Sequence, residues 1–215
     1  MRGSQKNKDY KAKWNPELAY VVGPITTDGS LSIDGSHLDI TSNDIQLLNT
    51  AKKCLKINNR ITTKSSGFTG KKTCHHIQFG NIVLYKWLLG IGLMPNKTWL
   101  LRSLKVPNKY FFDFLRGHLD GDGCIRTFVD PVYPNAQRLY IAFNSASFSH
   151  INWLKRKIKS LVNISGFMMK NNTIFCLTYG KKESMILIPH LYPPNRKIPL
   201  LKRKYKIVKE FLTPR

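Results

Sequence analysis

Acidic residues are scarce in this chain: 12 Asp and Glu stand against 35 Lys and Arg, a formal charge of +23 over 215 residues. A charge so far from zero exceeds what solubility requires, so a polyanionic partner, nucleic acid before an acidic membrane surface, is the better explanation. Long apolar runs are also missing. No segment approaches the ~20 residues of a membrane span, and the opening "MRGSQKNKDYKAKW" has no signal-peptide core. Cysteines are few and scattered: Cys54, Cys74, Cys124 and Cys176 form no C-x-x-C pair. That argues against a zinc site or a disulfide framework and for thiols in a reducing compartment. His75 and His76, adjacent on a strand, point to opposite faces and are poor joint ligands. The expectation is an intracellular protein of cytoplasm, nucleoid or organelle, not a secreted one. What is present is a foldable composition, 42% hydrophobic and 11% aromatic, sufficient for one large domain or two small ones.

The chain repeats itself. "YVVGPITTDGSLS" at 20–32 is a fainter copy of "FLRGHLDGDGCIR" at 114–126. After Asp28-Gly29, Leu31 and Ile33, then Leu38 and Ile40, alternate with polar residues around Asp34-Gly35, a strong hairpin signal. After Asp122-Gly123, Leu139, Ile141 and Phe143 alternate with Arg138, Tyr140 and Ala142, and a Pro-rich loop replaces the tight turn. Each hairpin runs into an amphipathic helix, marked by Ile45, Leu48 and Leu55 in one half and by Ile151, Leu154, Ile158 and Leu161 in the other. A second strand pair (60–79 and 165–179), a helix ("IVLYKWLLGIG" and "ESMILIPHLY") and a basic segment follow. The predicted fold is α+β, with the order α-β-β-α-β-β-α occurring twice. The two repeats occupy residues 1–106 and 107–215, with Pro107 as boundary.

The first helix of each repeat ends on acids. Asn15 caps the first one, with Pro16 and Glu17 in its first turn and Leu18, Val22 and Ile25 on one face. Phe112, Leu115 and Leu119 do the same in the second. Small residues recur at i, i+4, Gly23 and Thr27 in one, Gly117 and Gly121 in the other, a spacing that lets two backbones pack closely. Pro24 removes one hydrogen bond inside its helix. Gly29 and Gly123 are expected as left-handed terminating residues. Packed in this way, Asp28 and Asp122 meet at the negative ends of two helix dipoles, an arrangement repulsive on both counts. A divalent cation removes both penalties, and Mg²⁺ suits a site with one or two carboxylates completed by water and phosphate. A calcium loop fits worse: "DGDGCIRTFVDP" lacks an acid at its fifth position and has Pro131 where a bidentate Glu belongs.

These residues resemble the LAGLIDADG homing endonucleases. Leu115-Arg116-Gly117-His118-Leu119-Asp120-Gly121-Asp122-Gly123 matches the nine-residue signature at leucine, glycine, both aspartates and the terminal glycine. Val21-Val22-Gly23-Pro24-Ile25-Thr26-Thr27-Asp28-Gly29 keeps the glycines, Ile25 and the last aspartate, with Thr26 in place of the first. Two copies resemble the monomeric, two-motif type. The resemblance implies a saddle of two antiparallel sheets over the DNA major groove and Mg²⁺-dependent double-strand cleavage of a long site, leaving 3′ overhangs. Mn²⁺ is expected to substitute, and Ca²⁺ to support binding without cleavage. Asp28 and Asp122 are then the metal ligands, with the carbonyls of Thr27 and Gly121 added. Lys97 is the catalytic cation of the first half, and Lys204, ahead of Lys202, that of the second. Ser42 and Ser145 would order water.

Outward sheet positions should meet DNA. They are Ser30, Ser32, His37 and Asp39 in the first half and Arg126, Arg138 and Tyr140 in the second, with Lys64, Lys71, Lys72, Lys170, Lys181 and Lys182 on or near strands and turns. The competing expectations are a non-cutting RNA maturase, a DNA-binding regulator on the same fold, and a basic structural RNA-binding protein. The last predicts no paired acids.

Overall fold

The computed structural model describes residues 12–65 and 73–212; Lys71 and Lys72 lie outside the described residues. Helix α1 (Pro16–Thr27) begins as its sequence dictates. The Asn15 side chain accepts from the Leu18 N–H at 2.8 Å, and Pro16 occupies the first turn, where no N–H is needed. Its counterpart α4 (Phe111–Asp120) follows a short 3₁₀ turn at Asn108–Tyr110. Each helix was expected to bury one face. Instead Leu18 through Thr26 are all buried, and so is α4 apart from the half-buried Phe112, because the two helices pack on each other and on both halves.

Glycine sets their approach. A Cβ on Gly23 would land on the Gly117–His118 backbone, and one on Gly117 would strike the Tyr20 carbonyl oxygen. Pro24 leaves α1 continuous. Having no N–H, it cannot serve that Tyr20 carbonyl, and Gly117 of the facing helix packs against it instead. At the far end a Gly121 side chain would meet the Thr27 hydroxyl and come within 2.7 Å of an Asp28 carboxylate oxygen. The terminating glycines need a correction. Among the described residues only Gly35, Gly92 and Gly166 are glycines with positive φ, so Gly29 and Gly123 are not left-handed. They are required because the chain doubles back at once: a Cβ would sit 2.6 Å from the Cα of Ile25 or of Leu119.

Each central helix opens into a four-stranded antiparallel sheet. Strands β1 (Gly29–Leu31), β2 (His37–Ser42), β3 (Thr62–Ser65) and β4 (Thr73–Gly80) lie in the order β1-β2-β4-β3. Strands β5 (Cys124–Val129), β6 (Gln137–Ser145), β7 (Phe167–Asn171) and β8 (Ile174–Tyr179) repeat it as β5-β6-β8-β7. Helices α2 (Ile45–Leu55) and α3 (Ile82–Ile91) accompany the first sheet, α5 (Phe148–Val162) and α6 (Lys181–Leu191) the second. The expected order therefore appears twice.

Register fixes the faces. Leu31, Leu38, Ile40, Ile77 and Phe79 point into the core of the first half, and Ile125, Leu139, Ile141, Phe143, Leu177 and Tyr179 into that of the second. Ile33 is no core residue. It is 83% exposed in the turn, because β1 is only three residues long and the hairpin closes through Ser32 N–H to the His37 carbonyl. Asp34 stabilises that turn by accepting from the backbone N–H of Ser36 and His37. Ala142, expected to face outward with Tyr140, does so but is covered by its neighbours.

The last basic segment forms a further helix, α7 (Lys202–Lys209), that the sequence reading did not contain. Its buried stripe is Leu201, Lys204 and Val208, and a lysine in the middle conceals the apolar period.

Candidate active site

The ends of α1 and α4 bring Asp28 and Asp122 together: a Cβ on Gly121, the residue before Asp122, would lie 2.7 Å from an Asp28 carboxylate oxygen. Burial and the charge of Asp122 push Asp28 up to about 7, with the Thr27 hydroxyl, 3.0 Å away, pulling the other way. Burial raises Asp122 as well, against Lys97 and Lys204, which favour its charged form. Asp28 is half-buried and Asp122 reaches solvent, and two carboxylates set side by side are short of positive charge.

Two buried lysines supply part of it. Lys97 reaches in from the segment after α3 and donates to the Gly29 carbonyl. Lys204, from the first turn of α7, donates to the Gly123 carbonyl at 2.7 Å, to those of Asp120 and Gly121 at 3.1 and 3.4 Å, and to that of Leu119. Gly29 and Gly123 are equivalent positions of the two motifs, so the lysines are pseudo-symmetric partners. Lys202 is not placed this way: its side chain is exposed. Burial lowers both inner lysines, opposed at Lys97 by Asp28 and Asp122 and at Lys204 chiefly by Asp120.

The acids open into separate cavities, each built from both halves. One, about 340 Å³, holds Asp122 with Thr27 and Lys97; the other, about 550 Å³, holds Asp28 with Gly121 and Arg203. The motif residue preceding one aspartate therefore lines the cavity of the other. Among the described residues no cluster of three or more His, Cys, Asp or Glu side chains converges. A cation at the acids would take two carboxylates and complete its shell from carbonyls and water. The residues fit such an ion: the carboxylates are unneutralised, and the Gly121 carbonyl already faces the Lys204 ammonium.

Around this centre the cavities differ. The Asp122 cavity is walled by His118 and His150, both held neutral by burial, His150 down to about 4. His150 Nδ1 donates to the Arg102 carbonyl at 2.9 Å, which leaves its Nε2 to accept from His118 Nε2–H at 3.3 Å and His118 Nδ1 without a partner. The Asp28 cavity has instead Asp44 bonded to Arg203 at 2.8 Å. Ser42 and Ser145 occupy equivalent turns, each hydroxyl accepting a backbone N–H, from Asp44 and Ser147. Asn144 donates to the Asp122 carbonyl at 2.8 Å.

Sequence reasoning missed the ties that carry Lys204 inward. Asp120 accepts from the Tyr20 hydroxyl at 2.8 Å and from Leu201 N–H at 2.9 Å. Arg116, 1% exposed, bonds the carbonyls of Leu191 and Pro199 and the Asp113 carboxylate, each at 2.8 Å. Arg116 and Asp120 stood in the motif; the backbone partners that give them these roles, at Leu191, Pro199 and Leu201, lie 75 or more positions away.

Ser30, His37, Asp39 and Lys64 share the outer face of the first sheet, and Arg126, Arg138 and Tyr140 that of the second. Several are already engaged: Asp39 bonds Lys64, His76 and Thr41, and Arg138 pairs with Asp130. Ser32 lies in the turn beyond β1, its carbonyl accepting from Tyr85. Lys181 and Lys182 open α6 beside Arg138. Lys170 lies on β7 but off the outer row. It is paired with Phe175, out of step with the outer positions, and its ammonium lies over that ring at 5.5 Å.

No family model matches the sequence, and no curated protein matches it. Solved structures do match in three dimensions. The homing endonuclease I-WcaI bound to its DNA recognition sequence is 13% identical with a TM-score of 0.65, the match covering 94% of each chain. The LAGLIDADG meganuclease I-AabMI bound to uncleaved DNA is 14% identical, TM-score 0.59, over 93% of this chain and 89% of that one. Full-length DUF199/WhiA from Thermatoga maritima is 14% identical, TM-score 0.59, over 94% of this chain, which spans only 63% of the WhiA chain. The fold is thus the LAGLIDADG fold, two antiparallel four-stranded sheets about a central helix pair.

Proposed function

We propose that this chain is a site-specific DNA endonuclease that hydrolyses both strands of a long duplex site, dependent on Mg²⁺ and leaving 3′ overhangs. One observation carries the reading: both motif aspartates are present at the adjoining ends of the central helix pair, and each lines a cavity completed by the other half. The fold is also that of proteins solved with DNA bound. Asp28 with the Gly121 carbonyl, and Asp122 with that of Thr27, would hold the ions. A divalent cation bound there supplies Lewis-acid polarisation of the phosphate and a more acidic water. Lys97 and Lys204 place ammonium groups where charge develops on the phosphate oxygens. In each strand a water oxygen bonds to phosphorus as the bond between phosphorus and the 3′ oxygen breaks, and a proton lost by the water is balanced by one gained at the departing 3′ hydroxyl. The internal duplication makes the active unit a monomer.

A non-cleaving DNA-binding regulator or RNA maturase is the second reading, since the fold is shared with WhiA as well as with endonucleases. The decisive experiment incubates the full chain with a randomised duplex pool and Mg²⁺ and sequences cut ends. Recurrent paired ends with short 3′ overhangs support the nuclease; tight retention of duplex without any cut product replaces it with the regulator.

A further inference from the structure

The two outer sheet faces differ in chemistry. On the first sheet the register places Ser30, His37, Asp39, Thr41, His76 and Gln78 outward. They form a hydrogen-bonding surface in which Asp39 joins Lys64, His76 and Thr41. On the second sheet the outward rows hold Phe128, Tyr140, Phe167, Met169, Ile174 and Cys176. These side chains are not a hidden core: Phe128 is 48% exposed, Phe167 44%, Met169 54% and Ile174 41%. Phe128 and Tyr140 stack with centroids 5.8 Å apart and planes 11° from parallel. An exposed apolar patch of this kind marks a binding surface.

Its occupant follows from its surroundings. Asn144, on the same outer face, holds the carbonyl of Asp122, so the patch runs directly into the catalytic centre. Arg126 and Arg138 lie on the same face, and the acid beside it, Asp130, is paired with Arg138. A polyanion with apolar groups on its surface fits both features. In the major groove the C5-methyl of thymine is the apolar group that a duplex offers to an inserted β-ribbon. Resting on the DNA-cleaving reading above, we infer that the β5–β8 sheet reads its half of the target through thymine methyls, whereas the β1–β4 sheet reads by hydrogen bonds to base edges. The target is accordingly asymmetric, with thymines concentrated in one half.

Uracil differs from thymine by that methyl alone. Duplexes retained by the full chain from a randomised pool in Ca²⁺ are sequenced, and the best is resynthesised with deoxyuridine for thymidine in one half or the other. Each contacted methyl is expected to contribute about fourfold in affinity, so removing three costs on the order of fifty-fold. The same replacement in the other half should cost less than about twofold. Phe167→Asn with Met169→Asn, exposed positions outside the core and outside the Asp122 cavity, should bring the thymidine-to-deoxyuridine ratio towards one with an unchanged melting temperature. Equal losses in both halves, or none in either, overturn the inference while leaving DNA binding standing. Retention of no duplex at all removes the inference together with the reading on which it rests.

Discussion

Thr26 and Asp120 occupy the same step of α1 and α4, yet their side chains do opposite things. Thr26 turns back onto its own helix, bonding the Val22 carbonyl at 2.6 Å, while Asp120 reaches across to Tyr20 and to Leu201. The same split recurs outward. His118 and His150 wall one cavity where Asp44 and Arg203 line the other, and one sheet face is apolar where the other is polar. At the centre the halves still agree: Asp28 and Asp122, Gly23 and Gly117, and two lysines bonding equivalent carbonyls. Duplication is kept at the adjoining ends of the two central helices and is relaxed where the surroundings are not shared.

The sharpest way to break that equivalence is at the lysines. Lys97→Met and Lys204→Met should each slow cleavage by roughly 10²–10³-fold, and each mainly on one strand, so nicked duplex accumulates. Strand-resolved gels check this; equal slowing of both strands by either variant would dissolve the two-cavity description. Next come the helix contacts. Gly23→Ala and Gly117→Ala both drive a Cβ into backbone of the facing helix and should each cost about 3 kcal/mol by urea unfolding, because neither backbone can retreat. Asp120 and Thr26 should then part company. Asp120→Ala strands the Tyr20 hydroxyl and Leu201 N–H and should cost about 2 kcal/mol, against less than about 1 kcal/mol for Thr26→Ala.

The smallest effect is a pH dependence. Burial raises Asp28 to about 7 and Asp120 to about 6, so between the usual carboxylate range and these values the folded state binds more protons than the unfolded one. His118 and His150, held neutral by burial, act in the opposite sense over the same range, so the Asp28 contribution is isolated by comparing variants. Without metal, the stability of Asp28→Asn relative to the wild type should grow as pH rises to about 7. Melting both proteins in EDTA from acid to neutral pH checks this; a difference that does not change with pH would contradict it.

Much of this was legible in the sequence because it is local. Asn15, Pro16 and Asp34-Gly35 specify a helix start and a turn through neighbours only. The acid pair was legible because the small-residue spacing implied which helices meet. Residues acting through distant partners were not legible in role: Arg116 and Asp120 sat in the motif without their targets. Helix α7 was hidden because its buried stripe includes Lys204, and the register that pairs Lys170 with Phe175, off the outer row, was not visible in the sequence. Gly29 and Gly123 were expected as left-handed terminating residues, whereas the close reversal of the chain is what requires them.

The most direct test compares the wild-type chain with Asp28→Asn and Asp122→Asn on a duplex selected by the protein itself. With Mg²⁺, each substitution is predicted to abolish double-strand cleavage, a loss of at least about 10³-fold, while affinity in Ca²⁺ stays within a few-fold of wild type. Full Mg²⁺-dependent cutting of both strands by either variant would contradict the two-acid account.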